Sequence, residues 1–233
     1  MINGIVNVYK ESGFTSFDVV AKMRGIFHQK KIGHTGTLDP DAQGVLPVCL
    51  GRATKVCDLL TDKDKEYEAV MLLGMTTDTQ DVSGTVLNRQ KVTVTEDAVK
   101  TVITSFEGEY MQIPPMYSAL KVNGQKLCDL ARKGIEVERK ARSVTIHKIQ
   151  ILEINLPRVR MKVECSKGTY IRTLCQDIGK KLGCGACMES LLRTRVSEFR
   201  LDGALRLQQI EELVQREDFS FVQSVDSVFM QYD

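Results

Sequence analysis

Apolar residues recur along this chain with two different periods, and each period points to a strand or a helix. Alternation from Ile2 to Val8 predicts a half-buried strand. Ser16 is expected to cap a helix, because a helical pattern of apolar residues follows it. The residues on the apolar side of that helix are Val19, Val20, Met23, Ile26 and Phe27. Two further runs, Val45 to Leu50 and Glu66 to Leu73, are typical of buried strands.

The remaining segments suggest how the strands are connected. A short helix after Leu50 has its apolar positions at Ala53, Val56, Leu59 and Leu60. A second helix opens at Thr95, with Ala98, Val102, Ile103 and Phe106 facing inward.

The second half of the chain contains the clearest hairpin. Arg142 to Ile154 is predicted to pair with Arg158 to Cys165 through a turn that contains Pro157, and Thr169 to start a helix that Gly183 ends. Strands and helices are interspersed without a regular βαβ alternation. We therefore expect an α/β fold of the α+β kind, with a mixed, largely antiparallel sheet and flanking helices.

Length and composition narrow the class of protein. With 233 residues, 42% of them apolar and 27% charged, the chain can bury a sizeable core, and one domain is expected. Its apolar runs are much shorter than the roughly 20 residues of a membrane span. The N-terminus lacks the basic and apolar regions of a secretory signal. These features predict a cytoplasmic protein that does not enter a membrane.

The number of cysteines is also consistent with the cytoplasm, where thiols stay reduced. Seven is an odd number for a disulfide framework, so we expect reduced thiols. Cys184 and Cys187 form a single CxxC, which we interpret as a tight turn and not as a zinc or redox site, because no second pair or nearby histidine accompanies it.

Charge is distributed unevenly along the chain. The net charge is only +2, yet Leu120 to Lys148 holds eight Lys or Arg against three acids, and Arg158 to Arg195 nine against three. Such segments can follow a phosphate backbone, although most charge runs are simply solvated faces. Charge alone leaves both interpretations open.

The stretch from Gly33 to Gly44 carries the most specific signal. Three glycines and a proline in twelve residues predict an irregular loop, and Pro40 biases Asp39 toward an extended conformation. Asp39 is therefore expected to be presented on a loop that a ligand can approach closely. For an isolated Asp-Pro pair, an ordinary turn would be the better interpretation.

Several blocks in this sequence resemble the motifs of TruB-type pseudouridine synthases, in the same order and over about residues 3 to 213. They are Gly33-His34-Thr35-Gly36-Thr37-Leu38-Asp39-Pro40 with its continuation to Lys55, Lys65-Glu66-Tyr67-Glu68-Ala69, Thr77 to Gly84, Ile113 to Lys121, and Ser166 to Leu174. Five ordered blocks over that length make coincidence very unlikely. The resemblance implies the pseudouridine synthase fold and an isomerase that converts uridine to pseudouridine at position 55, in the T loop of tRNA, without a cofactor or a metal.

The resemblance also implies roles for individual residues. Asp39 is the catalytic aspartate, a carboxylate at neutral pH that can act as a nucleophile. Arg172 would form an ion pair with Asp39, which would also compensate a cation in the first turn of a helix. Tyr67 would stack on the flipped base and help to move the C5 proton. Further substrate-binding roles fall to His34, which would stack in the T loop, to Tyr170, which would pack under the pocket, and to Leu191, which would close it.

The expected organisation is a single catalytic domain over residues 1–233, with an insertion at about 109–142 that clamps RNA around a tight turn at Asn123-Gly124. The T arm of tRNA is the implied partner, and a monomer is expected. Two departures from the family pattern stand out, since Lys10-Glu11-Ser12-Gly13 lacks the usual proline and Leu192 occupies a position where arginine is common. We expect no room for a small C-terminal RNA-binding domain after Phe221.

Two other classes of function remain open. A tRNA-binding folding chaperone with little or no catalysis would need the same RNA-binding surface, although the retention of Asp39, Tyr67 and Arg172 argues against an inactive enzyme. A hydrolase that uses Asp39 and His34 is a weaker alternative, because the sequence has no GxSxG nucleophile elbow.

Overall fold

A computed structural model describes residues 1–229, which form two compact units. The first unit contains residues 1–67 and 191–229, and the second contains residues 68–190. The single catalytic domain over 1–233 stays a prediction, and its last four residues lie outside the described part. Within residues 1–229, no helix is long and apolar enough to cross a membrane.

Thirteen strands and seven α-helices make up the described chain. In chain order they are β1 (Gly4–Lys10), α1 (Ser16–Ile26), β2 (Ile32–His34), β3 (Gln43–Leu50), α2 (Cys57–Thr61) after a 3₁₀ helix (Gly51–Val56), β4 (Lys65–Leu73), β5 (Met75–Thr77), β6 (Val86–Arg89), α3 (Glu96–Thr104), β7 (Gly108–Gln112), β8 (Lys121–Val122), β9 (Gln125–Lys126), α4 (Leu127–Arg132), β10 (Arg142–Asn155), β11 (Arg158–Cys165), α5 (Ile171–Lys181), β12 (Ala186–Val196), β13 (Phe199–Arg200), a 3₁₀ helix (Leu201–Gly203), α6 (Leu207–Gln215) and α7 (Val225–Phe229).

Strand β3 is central to the first unit. It pairs antiparallel with β1 and with β2, and parallel with β12 near its start. Because successive side chains of a strand point to opposite faces, β3 contributes to two cores. Leu46 and Val48 pack against α1 and α6, while Val45 and Cys49 face the 3₁₀ helix and α2. Helices therefore cover both faces of this part of the sheet.

The second unit is organised around the long strand β10. It pairs antiparallel with β11 on one side and with β7 on the other, and the turn between β10 and β11 contains Pro157. The predicted hairpin is confirmed. Ile146, Met161 and Val163 on these strands are fully buried, as are Ile103 of α3 and Leu174 of α5. Strands that are mostly antiparallel, with helices packed beside them, confirm the predicted mixed α+β fold.

Two of the predicted helix starts were wrong by one or two residues. Thr15, not Ser16, caps α1: its side chain accepts a hydrogen bond from the Asp18 backbone N–H, and the Asp18 side chain accepts one from the Thr15 backbone. Helix α5 begins at Ile171 and not at Thr169, because the Thr169 hydroxyl donates to the carbonyl of Ser166 (2.9 Å) in the turn before the helix.

The Gly33–Gly44 segment is only partly irregular. Gly33 and His34 belong to β2, and β3 begins at Gln43, so the loop itself is confined to residues 35–42. The strand predicted from Glu66 to Leu73 and the helix predicted to open at Thr95 are both confirmed. Tyr67 lies on β4 in strict alternation with the buried Ala69 and Met71, and Thr95 caps α3. In α3, however, the fully buried positions are Val99 and Ile103, whereas Ala98 is only half-buried.

Neighbouring leucines in α2 provide a test of this packing. Leu60 is fully buried beside β3, whereas Leu59 is 55% exposed. Leu60→Ala should lower the free energy of unfolding by about 2–5 kcal/mol, because it removes buried methyl groups and leaves a cavity. Leu59→Ala should change it by less than about 0.5 kcal/mol. Chemical denaturation of both variants measures the difference, and equal losses would contradict the assigned face of α2.

Candidate active site

Asp39 lies in the first unit on the loop of residues 35–42. It is half-buried, and its backbone carbonyl accepts a hydrogen bond from the Ala42 N–H (3.1 Å), which closes a tight turn over Pro40 and Asp41. Leu38, just before it, is buried. The Ser16 hydroxyl holds Leu38 by accepting from its N–H (2.9 Å) and donating to its carbonyl (3.3 Å). The aspartate is therefore carried by a loop whose apolar neighbour is anchored in the core.

Lys10 holds the other side of this turn. The side chain is fully buried, and its ammonium donates to the carbonyls of Ala42 (2.6 Å), Pro40 (2.9 Å) and Glu11 (3.0 Å). Burial lowers the pKa of Lys10 to about 8, against the opposing effect of the carboxylates of Asp39 and Asp41. The ammonium thus supplies both hydrogen bonds and positive charge at the Asp39 turn.

Arg193 of β12 stabilises the loop and the strand that follows it. Its buried guanidinium donates to the carbonyls of Val45 (2.7 Å) and Gly36 (3.3 Å). Gly44 permits the close approach of the β12 backbone to β3, since a Cβ at this residue (φ +106°) would lie 2.2 Å from the Arg193 carbonyl oxygen. Burial lowers the pKa of Arg193, while its electrostatic interaction with the Tyr67 side chain raises it. Arg193 therefore connects the Asp39 loop with Tyr67, which is buried on β4.

His34 ends β2, immediately before the Asp39 loop. It is half-buried and lines an open cavity of about 540 Å³ that also contains Phe17, Arg24 and Lys31. Burial, reinforced by the positive charge of Arg193, lowers the pKa of His34 and favours a neutral imidazole at neutral pH. Leu191 is half-buried on β12, in the same unit.

Arg172 and Tyr170 belong to the second unit. Arg172 is the second residue of α5 and is only 4% exposed. Its guanidinium donates to the carbonyls of Tyr117 (2.8 Å) and Thr79 (2.9 Å), and one of its nitrogens lies 3.7 Å from a carboxylate oxygen of Asp81. These groups compensate a cation at the positive end of a helix. Asp39 belongs to the other unit, and its ion pair with Arg172 stays a prediction.

The acidic turn before β6 contacts the first residues of α5 through its side chains. The second carboxylate oxygen of Asp81 accepts hydrogen bonds from the hydroxyls of Thr79 (2.8 Å) and Ser83 (2.6 Å). Next to it, the Gln80 side chain accepts from the Thr173 hydroxyl (2.7 Å). The block Thr77–Gly84 was recognised in the sequence, but its role as a partner of α5 was not.

Gln112 is a further residue that the sequence analysis missed. It is 1% exposed, and its amide group pairs with both backbone groups of Tyr170: the Tyr170 N–H donates to Oε1 (2.8 Å), and Nε2 donates to the Tyr170 carbonyl (3.1 Å). Nε2 also donates to the Tyr110 hydroxyl (2.7 Å), which in turn donates to Asp177 (2.9 Å). Tyr170 is the residue at the N-terminal cap of α5 and has no side-chain cap. Gln112 thus fixes the start of the helix that carries Arg172.

The basic insertion contains the predicted tight turn. Asn123 and Gly124 both have positive φ (51° and 80°) between β8 and β9, which matches the two-residue hairpin that this dipeptide favours. A cavity of about 230 Å³ beside it is lined by four cations, the carboxylate of Glu138 and hydrophobic residues. The cations are Lys121, Arg139, Lys140 and Arg142. An RNA clamp at about 109–142 stays a prediction.

The CxxC segment begins in a bend after α5 and ends on β12, whose second residue is Cys187. Cys184 and Cys187 are buried free thiols, and Gly185 between them has a φ of +66°. Within residues 1–229, no three His, Cys, Asp or Glu side chains are grouped closely enough to hold a metal ion.

Comparison with known proteins gives matches over nearly the whole chain. A model of "TruB family pseudouridylate synthase (N terminal domain)" matches residues 24–171, and one of "tRNA pseudouridylate synthase B C-terminal domain" matches residues 172–230. A protein named tRNA pseudouridine synthase B from Lachnoclostridium phytofermentans is 61% identical, over 98% of this chain and 78% of its own length. The protein of the same name from Alkaliphilus oremlandii is 52% identical, over 93% of this chain and 73% of its own length.

Solved structures also match this chain over nearly its whole length. A chain in "Crystal Structure of a Cbf5-Nop10-Gar1 Complex" is 32% identical with a TM-score of 0.77, covering 97% of this chain and 61% of that chain. A chain in "Structure of H/ACA RNP bound to a substrate RNA containing 2'-deoxyuridine" is 30% identical with a TM-score of 0.74, covering 97% and 60%. With one family model spanning 148 of 233 residues (24 to 171) and relatives more than 50% identical over most of their length, this chain belongs to the TruB family of pseudouridylate synthases.

Proposed function

We propose that this chain converts uridine to pseudouridine at position 55 in the T loop of tRNA, with the Asp39 carboxylate as the nucleophile. The relatives that are 61% and 52% identical are named tRNA pseudouridine synthase B, which supports tRNA as the substrate. The observation that carries the assignment of Asp39 is its turn, whose carbonyls are held by the buried Lys10 and whose preceding residue is held by Ser16. A loop fixed in this way keeps one carboxylate oxygen aimed at a bound nucleotide.

The reaction breaks the bond between N1 of uracil and C1′ of ribose, rotates the base, and joins C5 to C1′. The carboxylate can add to the base, attack C1′ or remove a ribose proton, and each of these routes requires one well-placed oxygen. The C5 proton must then leave. Tyr67 is proposed to stack on the flipped base and assist this transfer, and its interaction with the buried Arg193 guanidinium supports a fixed position for its hydroxyl.

The remaining site residues are proposed to bind and orient. Arg172 keeps the Asp39 carboxylate ionised and directed at the base, while Tyr170 and Leu191 form apolar walls that exclude water. His34 stacks in the T loop and fills the place of the extruded nucleotides. The lowered pKa of His34 supports this role, because a neutral imidazole stacks without the cost of desolvating a charge.

Binding of the T arm is proposed to involve the insertion at about 109–142. Its hairpin and the cavity beside it carry Lys121, Arg139, Lys140 and Arg142, whose charges suit a phosphate backbone. A cytoplasmic location and a monomeric state stay predictions.

Asp39→Asn tests the chemical assignment directly. The variant should lose release of tritium from a T-arm RNA labelled at uridine C5 by a factor of about 1,000 or more, because an amide is a poor nucleophile and base. Its affinity for the RNA should stay within a few fold. Asp41→Asn is the matched control, since Asp41 lies exposed in the same turn, and it should retain most of the activity.

Three results would contradict this assignment. Full release by Asp39→Asn would mean that another group performs the chemistry. No release by the unaltered chain on any T-arm RNA that it binds would favour the chaperone alternative. Release that persists when the uridine at position 55 is replaced would remove the proposed target.

Gln112→Glu tests whether the start of α5 matters for catalysis. The substitution keeps the shape of the side chain but removes both N–H donors and places a carboxylate against the Tyr170 carbonyl, so Tyr170 and Arg172 should lose their fixed position. We expect the single-turnover rate to fall by about tenfold or more while RNA affinity changes much less.

Gln150→Glu on the exposed face of β10 is the control for the added charge. Thermal unfolding, measured alongside, separates loss of position from loss of fold. A Gln112→Glu rate within twofold of the unaltered chain, at a temperature where both are folded, would show that Gln112 does not position the site.

A further inference from the structure

Two of the seven cysteines lie side by side in the first unit. Cys49 on β3 is fully buried and faces the core formed with Ala53 and Leu60. Cys57, the first residue of α2, packs against the same core but is only half-buried. Both thiols pack in the same apolar cluster, and each affects the pKa of the other. Seven residues of chain lie between them, and they belong to different elements of the unit.

Cys57 can be reached from solvent. It lines the open cavity of about 540 Å³ that also contains Arg24, Lys30 and Lys31. Its sulfur rests on Gly33 of β2, where a Cβ would lie only 3.3 Å away. Gly33 is also the residue directly opposite Cys49 in the β2–β3 pair. The missing side chain of Gly33 therefore makes room for the Cys57 sulfur next to Cys49.

The surroundings of the two thiols favour ionisation of Cys57 and keep Cys49 protonated. Interaction with the Cys49 thiol lowers the pKa of Cys57, against the opposing effects of desolvation and the Asp58 carboxylate. The same interaction, together with burial, raises the pKa of Cys49. Cys57, the thiol that lines the open cavity, is thus the reactive one, and the fully buried Cys49 carries a proton beside it.

We propose that Cys57 is a site of oxidation by hydroperoxides, and that Cys49 resolves the product into a disulfide. In the first step the Cys57 thiolate attacks the terminal hydroxyl oxygen of the hydroperoxide; the O–O bond breaks, a sulfenic acid forms, and the other oxygen leaves as hydroxide or alkoxide. In the second step the Cys49 sulfur attacks the Cys57 sulfur; the S–S bond forms, the S–OH bond breaks, and the Cys49 proton leaves with that hydroxyl as water. Two thiols lose two electrons in total, and the peroxide gains them.

The disulfide would tie β3 to the start of α2 beside β2, the strand that ends in His34. It would therefore link the redox state of the chain to the packing beneath a residue proposed to contact RNA. The thiol chemistry itself involves no RNA and does not depend on the proposed function.

Intact-mass measurement on the full, reduced chain after treatment with dilute hydrogen peroxide tests the proposal. We expect a loss of two hydrogen atoms that a dithiol reductant reverses, with a cross-linked peptide joining Cys49 to Cys57. Cys57→Ser should not form this disulfide at the same dose. Cys49→Ala should instead accumulate a sulfenic acid on Cys57 that a sulfenic-specific trapping reagent captures.

Cys128 provides the internal control. It is also half-buried, but its sulfur lies 3.8 Å from the Asp129 carboxylate and not beside another thiol. At neutral pH, iodoacetamide should modify Cys57 about tenfold faster than Cys128, because the thiolate is the reacting form. Cys128→Ser should form the disulfide as readily as the unaltered chain.

Two outcomes would overturn the proposal. One is alkylation of Cys57 no faster than that of Cys128. The other is peroxide treatment that yields no Cys49–Cys57 peptide, or that oxidises Cys57 directly to sulfinic acid while Cys49 stays reduced. Thermal unfolding of each variant verifies that the thiols are compared in folded protein. Tritium release can be assayed separately, so failure here and failure of the proposed isomerase are distinguishable.

Discussion

The buried ammonium of Lys10 is the interaction on which the Asp39 turn depends. A chain that leaves regular secondary structure exposes carbonyl groups that no ladder pairs, and an unpaired carbonyl inside a protein costs free energy comparable to a lost hydrogen bond. Lys10 pairs with three such carbonyls and Arg193 with two. The loop is therefore irregular in backbone conformation but fixed in position.

The second unit uses the same principle with different residues. Arg172 donates to the carbonyls of two separate segments, and Gln112 pairs with both backbone groups of Tyr170. In each unit, buried polar side chains bind backbone that the sheet does not reach. A substitution among them changes the placement of a loop or a helix start, whereas the strands are held by their own ladders.

The residue patterns predicted which helices and strands form more accurately than they predicted where each one begins and ends. The strands around β3 and β4 and the β10–β11 hairpin follow from apolar periodicity, and the Asn123-Gly124 turn follows from a dipeptide that tolerates positive φ. The start of α5 was misplaced because Thr169 has a local hydrogen-bond partner in Ser166, which a helix-cap rule does not consider. Lys10, Arg193 and Gln112 were missed as supports, because a charged or amide side chain in a strand is exposed far more often than buried.

The sequence by itself determined the fold class, the family and the identity of the aspartate loop, because apolar periodicity and ordered motifs are local properties that can be read along one dimension. Only the tertiary structure decided which polar side chains are buried, and which carbonyls they bind. Lys10 and Pro40, Arg193 and Val45, and Gln112 and Tyr170 are separated by 30 to 148 residues in the chain. Nothing in the local pattern around each of these residues specifies such a distant partner; packing of the strands brings them together.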